Sequence, residues 1–191
     1  MALTRLGLNQ SINLATNTTG NLNLASQVTG TLATGNGGTG ATSFAPGKIL
    51  NYKFVSGTNT GVTVNSTTWT DSNITLTYTP SSTDSRIIIN VNAYVNLMVT
   101  GVATGTGLKR AISGGATTTQ IGDGTVGFVY KYDIDAETNI SFEHVDHPNT
   151  TSAVTYTLNA RREGGSGNAI RLGESNKISE MILYEISGSG Q

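Results

Sequence analysis

The sequence predicts an all-β protein: an extended, repeat-bearing N-terminal stalk, expected to be trimeric, followed by a jelly-roll β-sandwich head. Three observations predict it. Charged residues make up only 12% of the 191, about half the usual share of roughly 25%. Thr, Asn, Ser and Gly stand in their place, and these suit pleated sheets and turns. The leading region repeats with a ten-residue period, and the rest is a series of short alternating apolar runs punctuated by Gly and Asn.

Charge separates the two regions. No Asp, Glu, Lys or Arg lies between Arg5 and Lys48, and the first acidic residue is Asp71. The division falls near Pro46-Gly47, a turn signal, giving a stalk over 1–47 and a head over 48–191. Within the stalk, SINLATNTTG (11–20), NLNLASQVTG (21–30) and TLATGNGGTG (31–40) each end in Thr-Gly. Ile12 aligns with Leu22 and Leu32, and Leu14 with Leu24. Ile12-x-Leu14 and Leu22-x-Leu24 have the period of a strand, not of a helix. Two or three large apolar side chains per unit cannot offset the entropy of ordering ten residues. Copies are therefore expected to share an axis, packing Ile12, Leu14, Leu22, Leu24 and Leu32 together. An oligomeric head would hold such arms at an effective concentration of about millimolar. A flexible linker is the alternative, strongest for the low-complexity stretch 33–43.

In the head, strands are expected at 48–55, 73–79, 86–99, 108–113, 117–121, 126–132, 139–145, 154–161, 169–172 and 178–186. The clearest is 86–99, one strand or two joined by a kink. Ile87, Ile89, Val91, Ala93, Val95, Leu97 and Val99 form its core face. Over 178–186 both faces are largely apolar, so that strand is expected to be central or at a subunit contact. No segment sustains a helical period, and many short strands with Gly-rich and Asn-rich turns read as a sandwich or jelly roll.

The chemistry of the chain excludes several functions. A net charge of −1 offers no basic footprint for nucleic acid. No apolar run approaches the roughly 20 residues of a membrane-spanning helix, so no membrane insertion is expected. The opening MALTRLGLNQS lacks the apolar core of a secretion signal. Cysteine is absent, which removes disulfides and thiolate sites. No metalloprotease, nucleophile-elbow or phosphate-loop motif occurs, so no catalytic residue, cofactor or metal is expected.

Asp133, Asp135 and Glu137 carry the oxygens a Ca²⁺ site needs. They lack the Gly and distal Glu of an EF-hand, and a solvated loop is the simpler reading. Asp123 reads as a turn residue. His144 and His147 flank Asp146; on a three-fold axis one His per chain could complete a metal site. Positions i and i+3 of a strand do not share a face, which leaves loop polarity or receptor contact. Trp69 is the sole Trp, and core packing is expected ahead of sugar stacking. Tyr130 and Tyr132 share one side of their strand, as a contact patch or a packing surface. The candidate receptor-contact residues are Tyr130, Tyr132, His144 and His147.

The phased start, NGGTGAT at 36–42, NISFEHVDHPNTTSAVTYTLNAR at 139–161 and ISEMILYEIS at 178–187 together resemble short tail-fibre and virion-fibre proteins of marine tailed bacteriophages. Their heads are similar to the trimeric jelly rolls of the tumour-necrosis-factor and complement globular-domain kind. The resemblance implies a homotrimer on the virion surface, made in the host cytoplasm. It further implies an N-terminal segment docked on other virion proteins and a head that binds a host-surface glycan or protein. The chain is shorter than many tail fibres, so a capsid or tail decoration protein is the alternative. A surface-polysaccharide depolymerase is a lesser one, since paired carboxylates cannot be located from sequence.

Overall fold

The computed structural model describes residues 49–98, 101–132 and 135–188. Among them the alternating apolar runs form eleven strands: β1 Ile49–Thr58, β2 Val62–Val64, β3 Thr70–Tyr78, β4 Arg86–Met98, β5 Ala103–Ile112, β6 Thr117–Thr118, β7 Val129–Tyr132, β8 Asp135–Asp146, β9 Val154–Arg162, β10 Ile170–Leu172 and β11 Ile178–Ile186. The first strand pairs with the last, β3 with β9, β4 with β8 and β5 with β7, all antiparallel. The chain is thus one long antiparallel ribbon folded across two sheets. One sheet contains β8, β4, β11 and β1 in that order. The other contains β7, β5, β9 and β3, with short β6 also beside β5 and short β10 and β2 extending the first sheet. A ribbon wound in this way is a jelly roll, as expected for the head. The expected stalk, with Ile12, Leu14, Leu22, Leu24 and Leu32, lies outside the described residues.

Strand register gives the sandwich two ends. Ile49 lies beside Ile186, which lies beside Arg86; the chain enters β1 here, at the proximal end. Met98 beside Asp135, Ala103 beside Tyr132 and Thr104 beside Arg162 mark the distal end.

The core follows from period-two alternation. Ile87, Ile89, Val91, Ala93, Val95 and Leu97 of β4 are buried to 3% exposure or less, with Val154, Tyr156, Leu158 and Ala160 of β9 and Met181 and Leu183 of β11 in the same cluster. Each large side chain so buried contributes about 1.5–3 kcal/mol. β4 pairs with β8 from Ile87 to Met98 without a break, so over its described length it is the one strand, not two joined by a kink.

Two carboxylates are buried within this core, and each bridges the sheets. Glu185 of β11 is 1% exposed. It accepts from the Tyr78 hydroxyl, from Ser81 N and Oγ (both 2.7 Å) and from Ser85 Oγ (2.5 Å). Burial alone would push its pKa up; the donated hydrogen bonds outweigh it and hold the carboxyl below its ordinary range. Asp146, at the end of β8, accepts from Arg110 Nη1 and the Tyr156 hydroxyl, both at 2.7 Å. Burial, with the Asp146 charge beside it, pushes the Tyr156 hydroxyl far up.

Several strands depart from expectation for local reasons. β5 begins at Ala103 rather than 108, because Gly105 and Gly107 interrupt its apolar signal. β7 begins at Val129 rather than 126, because residues 119–128 form a strap across the outer face of β5. The Gln120 side chain fills the space above Gly107, and Asn159 Nδ2 donates to Thr119 O at 2.8 Å. β2 was not expected; three residues are too few to show alternation.

Candidate interaction surfaces

The outer faces of the two sheets differ in chemistry. On the β3-β9-β5 sheet, hydroxyls pair across strands: Thr75 with Thr157 at 2.9 Å and Thr77 with Thr155 at 2.8 Å. Lys109 and Asp71 form an ion pair beside them. The strap covers the rest.

At the distal end of that sheet, Trp69 is half-buried rather than in the core, which corrects the expectation of core packing. The Arg161 guanidinium lies 5.2 Å from the Trp69 ring centroid, close enough for a cation–π contact. Glu163 holds Arg161 by two hydrogen bonds. The indole donates to Gly124 O at 3.4 Å. Asp123 caps the strap by accepting from Thr125 N (2.8 Å) and Val126 N (2.9 Å), which hold its carboxyl below the usual range. That is the turn role expected for Asp123. The Trp69 position is set by the need to clamp the strap: a Cβ on Gly127 would lie 3.0 Å from its ring.

Tyr130 and Tyr132 sit on β7 at the distal end, 50% and 60% exposed, on one side of the strand as expected. The histidines are elsewhere. His144 is opposite Ile89 in register, turned toward the sandwich interior, with its ring 5.0 Å from that of Phe128. Burial lowers its pKa below the ordinary histidine value. His147 is exposed at the proximal end, its Nε2 2.9 Å from Thr83 O. The structure therefore does not bring the four candidate contact residues together. His144 is a packing residue at the edge of the core, because inward positions of β8 need bulk to close the sandwich beside Phe128 and Phe142. Of the candidate Ca²⁺ residues, Asp133 lies outside the described residues, and Glu137 stands 4.0 Å from Lys177 Nζ. Among the described residues no three His, Cys, Asp or Glu side chains cluster as metal ligands would.

The other sheet has an apolar outer face. Antiparallel register places Tyr52, Tyr184, Ile88 and Val145 in one row across β1, β11, β4 and β8. Phe54 and Ile182 begin the next row, which ends at Asn90 and Glu143; the row after is polar, with Ser56 Oγ donating to Glu180 at 2.8 Å. Tyr52 is 60% exposed, Phe54 58% and Val145 51%, and the Tyr52 and Phe54 rings stack with centroids 6.4 Å apart. The patch lies at the proximal end. Sequence reading flagged only the β11 part of it. Tyr52 and Phe54 do alternate within 49–55, but which of their two faces is outward depends on the pairing with β11.

No protein-family model matches the sequence, and no curated protein matches it. Among solved structures, the chain is similar to the VP2 subviral particle of infectious bursal disease virus, at 10% identity and a TM-score of 0.44. That match covers 73% of this chain and 34% of the VP2 chain. It is similar also to a structure of the Gx strain of that virus, at 9% identity and a TM-score of 0.40, with 73% and 32% covered. The chain spans about a third of the length of these proteins.

Proposed function

We propose that this protein is a non-enzymatic virion fibre: a homotrimer whose leading segment docks on other virion proteins and whose jelly-roll head binds a host-surface glycan or protein. The observation that carries the reading is the ten-residue repeat and its covalent continuity with β1. Arms with strand period and too few leucines to fold alone are useful when a folded head collects several of them. The resemblance of the junction and head motifs to bacteriophage fibres supports the same reading. Receptor contact belongs at the distal end, farthest along the strands from where the chain enters β1, where Tyr130 and Tyr132 are exposed. Three modest sites per fibre then act together through avidity.

The test has two parts. Light scattering of the full chain is expected to give three times the chain mass. Labelled protein is expected to bind host cells saturably and to block infection, and Tyr130→Ala/Tyr132→Ala to weaken that binding at least tenfold. A monomer, or no saturable binding, overturns the adhesive trimer. Particles that fail to assemble without the protein, with no cell binding, would make it a decoration protein instead.

A further inference from the structure

We infer that the outer face of the β8-β4-β11-β1 sheet is the surface on which copies of this chain meet, with Tyr52, Phe54, Ile88, Val145, Ile182 and Tyr184 at the contact. The inference rests on the trimer proposed above and names the face that makes it. Exposed apolar residues scattered singly are ordinary, whereas a contiguous patch with a polar rim marks an interaction site. Here six apolar side chains are contiguous through strand register, with Glu143 and Glu180 at the rim. The opposite sheet carries paired threonines and the strap, and its exposed aromatics, Tyr130 and Tyr132, are confined to β7 at the distal end.

A second copy is the occupant for three reasons. The patch is at the proximal end, beside Ile49 where the described chain begins, and a polar row bounds it after two rows. The leading repeat continues covalently into β1 at Ile49, beside the patch, so copies gathered by that repeat bring their patches together. The patch also centres on Tyr and Phe, which supply large contact area at low cost in side-chain entropy and are enriched at subunit interfaces. β1 is besides an edge strand with exposed Tyr and Phe, a feature that a monomer would be expected to blunt. The one inward-turned charge on it, Lys53, reaches Thr77 O at 2.8 Å and closes the sandwich, so it does not protect the outer face.

Sedimentation of the full-length protein across a dilution series tests this. Tyr52→Glu/Phe54→Glu changes two exposed side chains and is expected to raise the dissociation midpoint at least 100-fold. Thr75→Glu/Thr155→Glu, on the other outer face, is expected to shift it less than threefold. Because the patch variant could fail to fold, near-UV circular dichroism of it is paired with a measurement on the unaltered protein. Photochemical dityrosine coupling of the wild-type chain is expected to give covalently joined chains, with Tyr52 or Tyr184 in the link between them. A wild-type monomer overturns both the trimer and this inference, including the case in which residues 1–48 cover the patch in the same chain. A wild-type trimer that survives Tyr52→Glu/Phe54→Glu and yields no such cross-link overturns the inference alone.

Discussion

Glu185 is the residue on which the proximal end depends most. Tyr78, Ser81 and Ser85 direct four donors at a carboxylate with no cation among its hydrogen-bond partners. Glu185→Gln keeps the shape but loses the charge-assisted bonds and turns an amide donor toward hydroxyl and amide donors. It is expected to cost about 2–3 kcal/mol, read as a lower denaturant midpoint at unchanged slope. The pH dependence follows from the depressed carboxyl pKa. Stability from Glu185 is fully present above the pKa of an unfolded Glu, about 4.3, and is lost as pH falls through the lower folded value. Melting temperature should therefore drop below about pH 4 in the wild type, and less steeply in Glu185→Gln. His144 acts higher on the scale and in the same sense. Its folded pKa is also depressed, so its contribution is present above about 6.5 and is lost as pH falls through the folded value. His144→Phe is expected to remove that part of the pH dependence while keeping the contact with Phe128, and melts between pH 7 and 5 check it.

At the scale of elements, the strap of residues 119–128 is held by backbone hydrogen bonds together with the packing of Ile121 and Phe128 against the core. Phe128 N donates to Thr106 O at 2.8 Å, and Gly127 N to Asp123 O at 2.8 Å. Gly127 has φ of 73°, and a Cβ there would lie 2.4 Å from Thr106 O. Gly127→Ala is expected to cost about 2 kcal/mol or more and to raise hydrogen exchange across 119–128 specifically. Leu158→Ala, at the centre of β9, is expected to cost about 3–4 kcal/mol instead, without a local signature. The elements were legible in unequal measure. β4 and β11 stand out because alternation persists over at least nine residues; β11 has the bounds read from sequence, and β4 has its expected start, its expected last residue, Val99, lying outside the described residues. β5 was half hidden because Gly105 and Gly107 leave room for the strap, a tertiary reason invisible locally. Trp69 was misplaced for the same cause, since its partners Arg161 and Gly124 are distant in sequence.

At the scale of the whole molecule, register is what sequence could not supply. The apolar alternation marks each strand, but only the pairing of β1 with β11 and of β11 with β4 lines up Tyr52, Tyr184 and Ile88. The histidine pair and tyrosine pair seemed combinable for the same reason, and the winding of the ribbon puts them at opposite ends. The ribbon also predicts kinetics. Nearly all its pairings join residues far apart in sequence, so refolding of the head should be slow, in milliseconds to seconds or longer. Stopped-flow fluorescence of Trp69, which reports the strap closing on the distal end, measures it. The pairing of the first strand with the last has one more implication, for synthesis on the ribosome. Until residues 178–186 emerge, Tyr52 and Phe54 stand on a strand with nothing beside it. Every nascent copy on a polysome then displays a sticky ribbon to its neighbours. Closure of the jelly roll waits for β11, and yield in a cell should respond to chaperone supply more than to the rate of elongation.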